Sequence, residues 1–412
     1  METERIREII IDQNDYPKNN FIEREITPKI IKAKNTPFVK IISGVRRCGK
    51  STILKQLKEK FGGVYVNFDD ERFVNFKVED FQTLYELCLE LFKNKLFYFD
   101  EIQNIIGWER FVRRISESGE NVFVTGSNAT MLSKELGTHL TGRHILFKLY
   151  PFSFKEYLTF NKIKVLKLTT KEKVKLKKQF SNYLIDGGLP EYLMTKNIDY
   201  LRTLYESILY RDVMARYNLN KERTLKELIY FSANNLSKEI SFNSVKNTLG
   251  LGSTTTISDY FSYLENTYLL FLLPKYKYSL KKQMQANKRL YLIDNALSKQ
   301  LGFSFSENKG KLLENQTFLE LKRRDYELFY FQEKNECDFL VREKGRITQA
   351  IQVCYELNES NKKRELDGLI SAMNEFKLKD GIIVTLNQEE TIKKENLIIK
   401  IIPAWKWTLA IN

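Results

Sequence analysis

The chain opens on charged and amide residues. Up to about residue 35, Ile9, Ile10 and Ile11 stand out as an apolar cluster. That predicts an N-terminal helix or arm, packed on the domain that follows and carrying no chemistry. From about residue 36 short apolar runs alternate with helical periodicity. Val39-Lys40-Ile41-Ile42-Ser43 reads as a buried strand, and Ser51 to Phe61 as a helix with Ile53, Leu54, Leu57 and Phe61 on one face. Val64 to Phe68 is a second strand and Phe81 to Phe92 an amphipathic helix. Leu96 to Phe99 forms a strand that ends in Asp100 and Glu101, and Asn121 to Thr125 and His144 to Phe147 are further strands. Phe154 to Val174 has apolar residues at helical spacing. The eight lysines between Lys162 and Lys178 read as a solvated face rather than a binding stripe. Ile240 to Leu251 and Ser253 to Leu270 predict helix, turn, helix, with strands at Leu270 to Leu273 and Lys288 to Ile293. The last part reads as helix, three strands, helix, strand: Leu312 to Leu321, Leu328 to Phe331, Cys337 to Val341, Ile351 to Cys354, Lys363 to Phe376 and Ile382 to Val384.

Between the first strand and its helix lies Gly44-Val45-Arg46-Arg47-Cys48-Gly49-Lys50-Ser51. It fits the G-x-x-x-x-G-K-[ST] phosphate loop without mismatch and in the right context, after a strand and before a helix. Backbone N–H groups of such a loop wrap phosphates, and the helix N-terminus adds a favourable dipole. Gly44 through Thr52 are therefore the expected ATP-binding residues. Lys50 is expected to reach the β- and γ-phosphates and the Ser51 hydroxyl to ligand Mg²⁺. About fifty residues on, four apolar positions ending in two acids form a Walker B pattern. Asp100 would hold Mg²⁺, and Glu101 would polarise the attacking water. The alternative is an ordinary buried strand ending in two surface acids. Asn128, and after it Ser127, is expected to orient that water, or simply to cap the following helix. Arg143 is a candidate charge stabiliser, in cis or from a neighbouring subunit, or else a surface arginine beside a strand.

Composition narrows the setting. At 412 residues two or three domains are expected. A formal charge of +15 favours polyanionic partners, with a solvated basic surface as the plain alternative. The four cysteines form no C-x-x-C pair, so neither a disulfide framework nor a zinc site is indicated. Only His139 and His144 are present, which excludes a His-rich metal site. The charged start lacks a signal-like apolar region, and no apolar run approaches the roughly 20 residues that span a bilayer. A cytoplasmic protein without membrane partners is expected.

The order of motifs resembles a known family. Gly44-Val45-Arg46-Arg47-x-Gly49-Lys50-Ser51 is followed by Tyr98-x-Asp100-Glu101-Ile102-Gln103, Thr125-Gly126-Ser127-Asn128-Ala129, Gly142-Arg143 and Leu149-x-Pro151-Phe152-Ser153-Phe154-x-Glu156-Tyr157. This looks like the prokaryotic AAA-type ATPases with a C-terminal domain of unknown function. The resemblance implies an α/β protein with a P-loop domain built on a five-stranded parallel sheet of the additional-strand class. A helical lid and winged helix would follow, then an α/β module similar to the PD-(D/E)XK nuclease fold. On that basis the chain divides into an arm (1–35), the ATPase domain (36–150), the lid and winged-helix region (151–300) and the nuclease-like domain (301–412). Gly187-Gly188-Leu189-Pro190-Glu191 resembles the Gly-Leu-Pro motif of signal-transducing ATPases, which implies that Pro190 packs near adenine or ribose. A plain turn with proline at the first helical position is the alternative. Arg211 is a candidate second nucleotide sensor, or else pairs with the neighbours of Asp212 on a helix surface. Thr254 to Tyr263 would be the recognition helix. The basic and aromatic stretch from Lys275 to Arg289 would be a wing that contacts nucleic acid phosphates, the alternative being a winged helix that serves as a protein–protein module or as the AAA lid. In the nuclease-like part Glu314 and Asp338 match the expected acids. Gln352 stands where the second strand acid belongs and Cys354 where the lysine belongs, so an inactive module is expected. Two uses of the ATPase stay open, DNA binding or remodelling and a nucleotide-gated switch or scaffold acting through protein partners, with a homo-oligomer compatible with either; a metal-dependent nuclease is the weaker third reading.

Overall fold

A strand buried at all six of its positions, as β1 (Val39–Gly44) is, needs neighbours on both edges and cover on both faces. In the computed structural model, which describes residues 1–17, 21–127, 142–165, 168–302 and 309–410, β1 has both. With β2 (Val64–Asn67), β3 (Leu96–Asp100), β4 (Asn121–Gly126) and β5 (His144–Leu149) it forms a sheet of order β2-β3-β4-β1-β5. Every pairing is parallel. β4 lies between the strand before the phosphate loop and the strand that ends in the two acids, the extra strand expected from the family resemblance. Helices Lys50–Phe61, Asp80–Phe92 and Trp108–Glu117 cover it. An aromatic cluster fills one side, with Phe81 stacked on Phe111 at 4.4 Å.

The N-terminal arm is part of this unit. Helix Thr3–Asn14 buries Ile6, Ile9 and Ile10, a helical i, i+3, i+4 set, and leaves Ile11 exposed. At its end two side-chain amides act as a substitute strand along the free edge of β2. Gln13 pairs with the backbone of Asn67, and Asn14 with that of Tyr65, each through both its N–H and its C=O. An open edge is thereby satisfied without another strand.

The chain divides into two units, Met1–Leu149 and Tyr150–Asn412. The second holds two sheets. Helices Glu222–Asn234, Phe242–Thr248 and Thr254–Asn266 accompany β6 (Glu239–Ile240), β7 (Leu270–Pro274) and β8 (Lys288–Leu292), an antiparallel sheet of order β6-β8-β7. After helix Lys309–Arg323 come β9 (Glu327–Gln332), β10 (Glu336–Glu343) and β11 (Arg346–Val353). Helix Lys362–Glu375 and β12 (Asp380–Thr385) follow in the expected order. β13 (Glu390–Lys394) and β14 (Leu397–Pro403) extend the sheet to β13-β14-β12-β11-β10-β9. In the lysine-rich helix Thr170–Asp186 the chain buries Leu176, Phe180, Tyr183 and Leu184, while Lys171, Lys173, Lys175 and Lys178 are exposed. Among the described residues no helix is long and apolar enough to cross a membrane.

Candidate active site

β1 ends at Gly44, and the chain turns through five residues into helix Lys50–Phe61. Gly44 has no room for a side chain, since a Cβ would lie 2.1 Å from the Leu149 carbonyl oxygen on β5. Gly49, just before the helix, has φ +104°, a backbone that favours glycine. Val45 and Cys48 are buried and anchor the loop from below, and burial pushes the Cys48 thiol pKa up. Arg47 faces outward, and Arg46, Ser51 and Thr52 are half-buried. Lys50 is buried. Its Nζ donates to the carbonyls of Gly44 (3.1 Å) and Val45 (3.2 Å) and lies 3.7 Å from Glu101 Oε1.

Both acids stand at the C-terminal end of β3, where open α/β sheets bind their ligands. Asp100 is buried, and two neutral hydroxyls hold it. Tyr65 donates to Oδ2 at 2.6 Å and Thr125 donates to Oδ1. Thr125 Oγ1 also accepts from the Glu101 N–H at 3.0 Å, so one hydroxyl ties the two acidic residues together. Burial, and then the nearby Asp100 carboxylate, raises the Tyr65 pKa and keeps that phenol a donor. Glu101 has φ +49°, an uncommon backbone for a residue with a Cβ and one that clusters at functional sites. Ser51 and Asp100 offer oxygen donors only. That set suits Mg²⁺, which takes one or two protein oxygens and keeps several waters.

The other expected residues divide. Asn128 lies outside the described residues, and Ser127 is buried at the end of β4. Arg143 precedes β5, with its carbonyl accepting from Val39 at the start of β1. β1 and β5 pair in register from Val39 with His144 to Gly44 with Leu149, so Arg143 and the phosphate loop stand at opposite ends of the sheet, roughly 16 Å apart at strand rise. Arg143 is 63% exposed and meets Glu117 at 3.3 Å, so it does not join the loop of its own chain. Pro190 and Arg211 belong to the second unit. Pro190 opens helix Pro190–Thr195. Its turn is fixed by packing: Gly188 donates to Asp294 Oδ2 at 2.7 Å and accepts from the Phe152 N–H at 2.7 Å. Arg211 is exposed on the π-helical segment Ile208–Met214.

Two contributors have no role assigned from the sequence. Thr125 stands at the end of a strand and opens the motif Thr125-Gly126-Ser127-Asn128-Ala129, yet it is the structure that shows its hydroxyl linking Asp100 and Glu101. The arm, expected to be inert, supplies Arg24, which is buried and donates from Nη1 to the Cys48 carbonyl at 2.8 Å, directly behind the phosphate loop. A lone arginine in a charged segment has no local pattern that marks it.

A second meeting of carboxylates and a cation lies in the second unit. Arg289 on β8 is buried among the two acids of the nuclease-like pattern. Its Nη1 is 2.8 Å from Asp338 Oδ1 and 3.5 Å from Glu314 Oε1, and its Nη2 pairs with Glu336. Tyr291 donates to Glu314 at 2.7 Å. Burial, and then the Asp338 charge, pushes the Glu314 pKa up to about 8. Gln352 accepts from the Asp338 N–H at 3.1 Å and donates to Glu365 at 2.6 Å. The stretch expected to be a nucleic-acid wing is occupied nearby. Lys275 donates to Gln332 at 3.0 Å, Lys277 pairs with Glu333 at 2.5 Å and Tyr278 donates to Glu375 at 2.7 Å. The Tyr276 ring packs edge-on against Phe329 and Phe376.

Residues 36–158 match the family described as an AAA domain, and residues 177–308 match a domain of unknown function (DUF8612). The chain is 38% identical to an uncharacterized protein of Methanocaldococcus jannaschii across 98% of this chain and 94% of that one. It is 30% identical to an uncharacterized protein of Haemophilus influenzae across 92% of this chain and 96% of that one. A signal transduction ATPase with a tetratricopeptide repeat sensor from Pyrococcus horikoshii aligns at 13% identity with a TM-score of 0.28, over 74% of this chain and 46% of that one, too slight a likeness to argue from. An AAA domain and the parallel P-loop sheet together support nucleotide-dependent ATPase activity. The chain belongs to the family of these M. jannaschii and H. influenzae proteins, and it carries an AAA domain followed by a domain of unknown function.

Proposed function

We propose that the chain is a Mg²⁺-dependent ATPase that works as a nucleotide-gated switch. The observation that carries the reading is the meeting of Lys50, Asp100 and Glu101 at the ends of β1 and β3. Loop amides and Lys50 bind the phosphates. Ser51 and Asp100 hold the metal, Asp100 kept in place by Tyr65 and Thr125. Glu101 activates water. Lys50 leaves Glu101 and the loop carbonyls for the phosphates when nucleotide enters, and this exchange frees the base. Asn128 is assigned the water-orienting role. Arg143, remote from its own loop, is assigned to the site of a neighbouring copy.

The order helix, β6, helix, helix, β7, β8 reads as a winged helix. The outward positions of helix Thr254–Asn266, among them Thr254, Thr255, Ser258, Asp259 and Ser262, include no lysine or arginine. In the basic and aromatic stretch after β7, Lys275, Lys277 and Tyr278 are engaged within the chain, while Lys281 and Lys282 are exposed. Phosphate contacts supply most non-specific DNA affinity, so these two observations favour the switch over a DNA motor.

ATP turnover, measured alone and with single-stranded or duplex DNA, tests both parts. Lys50→Ala is expected to abolish binding. Glu101→Gln is expected to keep binding and lose at least about 100-fold in turnover. Normal hydrolysis by Glu101→Gln overturns the catalytic assignment, and strong stimulation by DNA overturns the switch.

A further inference from the structure

Gln103 lies in the acidic motif, and the roles assigned so far do not use it. Its Nε2 donates to Glu101 Oε2 at 2.6 Å, while Glu101 Oε1 faces Lys50 at 3.7 Å. The two carboxylate oxygens therefore have different partners. The turn beneath Gln103 is anchored on both sides. Glu101 is followed by a 3-10 turn, Ile102–Asn104, in which Ile102 is buried. Asn104 ties the turn to the end of β2 through the Phe68 carbonyl (3.3 Å) and Asp69 (3.1 Å). The Glu101 N–H is itself fixed by Thr125 at 3.0 Å. Gln103 Oε1 is buried and has no hydrogen-bond partner among the described residues.

We infer that Gln103 is the positioning residue of the catalytic glutamate. Its amide N–H holds Glu101 Oε2 on this anchored turn, so that Oε1 is the oxygen presented to water once Lys50 has moved to the phosphates. The inference rests on the ATPase reading. Lys50 has a long unbranched stem, and it leaves Glu101 when it turns to the phosphates. A base freed in this way would lose its orientation unless its other oxygen stayed held. The neutral amide does this without adding charge beside the phosphates, and it stands two residues from Glu101 on the same turn. Fixing the geometry of a reacting group matters most in the chemical step.

The test is the split between kcat and KM in Gln103→Met, which keeps the length and apolar contacts of the side chain and removes the donor. Gln103→Glu, which sets a second carboxylate against Glu101, is the companion. Both are expected to lose about tenfold or more in kcat. In Gln103→Met, KM, the affinity for a fluorescent ATP analogue with Mg²⁺, and the melting temperature should stay within about twofold or a few degrees of wild type, whereas the added charge of Gln103→Glu should also weaken nucleotide affinity. In the Glu101→Gln background Gln103→Met is expected to leave nucleotide affinity unchanged. Wild-type kcat in Gln103→Met overturns the positioning role and leaves the ATPase reading intact. So does a loss of affinity in step with kcat, which marks a merely structural residue. Absence of wild-type turnover above the Lys50→Ala blank overturns the ATPase reading, and the positioning role with it.

Discussion

Two places in this chain bring carboxylates to a cation, and they are built in opposite ways. At the end of β3, Lys50 stands 3.7 Å from Glu101, and neutral donors hold the carboxylates: Tyr65 and Thr125 on Asp100, Gln103 on Glu101. In the second unit Arg289 is 3% exposed and reaches three acids, with Asp338 at 2.8 Å. A lysine on a flexible stem at a loose distance can be handed to a ligand. A guanidinium with several donors engaged cannot leave without stranding buried charge. The first arrangement keeps its acids available. The second neutralises its acids with a cation supplied by the preceding sheet. The comparison separates a site kept open for chemistry from one closed by the fold itself.

The sharpest break of this contrast is at the open site. Lys50→Ala should remove ATP binding, and Glu101→Gln should separate binding from turnover, both read by nucleotide titration and phosphate release. Gln103→Met, with its smaller loss confined to kcat, sharpens the same side.

The closed site predicts a loss of stability instead. Arg289→Leu leaves buried acids without a counter-charge and should destabilise by about 3–5 kcal/mol in urea denaturation. Combining it with Glu314→Met and Asp338→Leu should recover most of that loss, because apolar replacement of a whole buried ion cluster is often neutral. If Arg289→Leu alone is neutral, the cluster is not a lock.

A pH effect follows from Glu314. Its pKa is raised from 4.5 to about 8, so the folded state holds a proton that the unfolded chain releases. This contribution is fully present below about pH 4.5 and is lost as pH rises through 8, with a slope of at most about 1.4 kcal/mol per pH unit. Glu314→Gln should flatten the pH profile of urea unfolding across that window. An unchanged profile would assign the dependence elsewhere.

The smallest expected effect is at Lys277, a pair with Glu333 in which both side chains are partly exposed. Lys277→Ala should change stability by about 0.5 kcal/mol or less. It should leave any duplex DNA affinity unchanged at several salt concentrations. A drop in affinity with a shallower salt dependence would return this stretch to nucleic acid contact.

The sequence by itself determined what depends on neighbours along the chain. The phosphate loop could be read because its glycines, its lysine and the flanking strand and helix are contiguous, and their order carries the mechanism. The acids after β3 and the strand, helix and turn succession were legible for the same reason, as hydrophobic period is a local property. Only the tertiary structure decided what depends on residues distant in sequence. Thr125 and Tyr65 meet Asp100 because the parallel sheet brings strand ends together. Arg24 reaches the loop because the arm folds back on its own domain. Arg143 is carried to the far end of the sheet by the parallel pairing of β5 with β1. Arg289 finds Asp338 across 49 positions because two sheets pack together within one unit. A lysine or arginine in a basic chain reads alike whether it meets solvent, nucleic acid or a buried carboxylate. Its role follows from the dielectric and the partners around it, and folding alone supplies those.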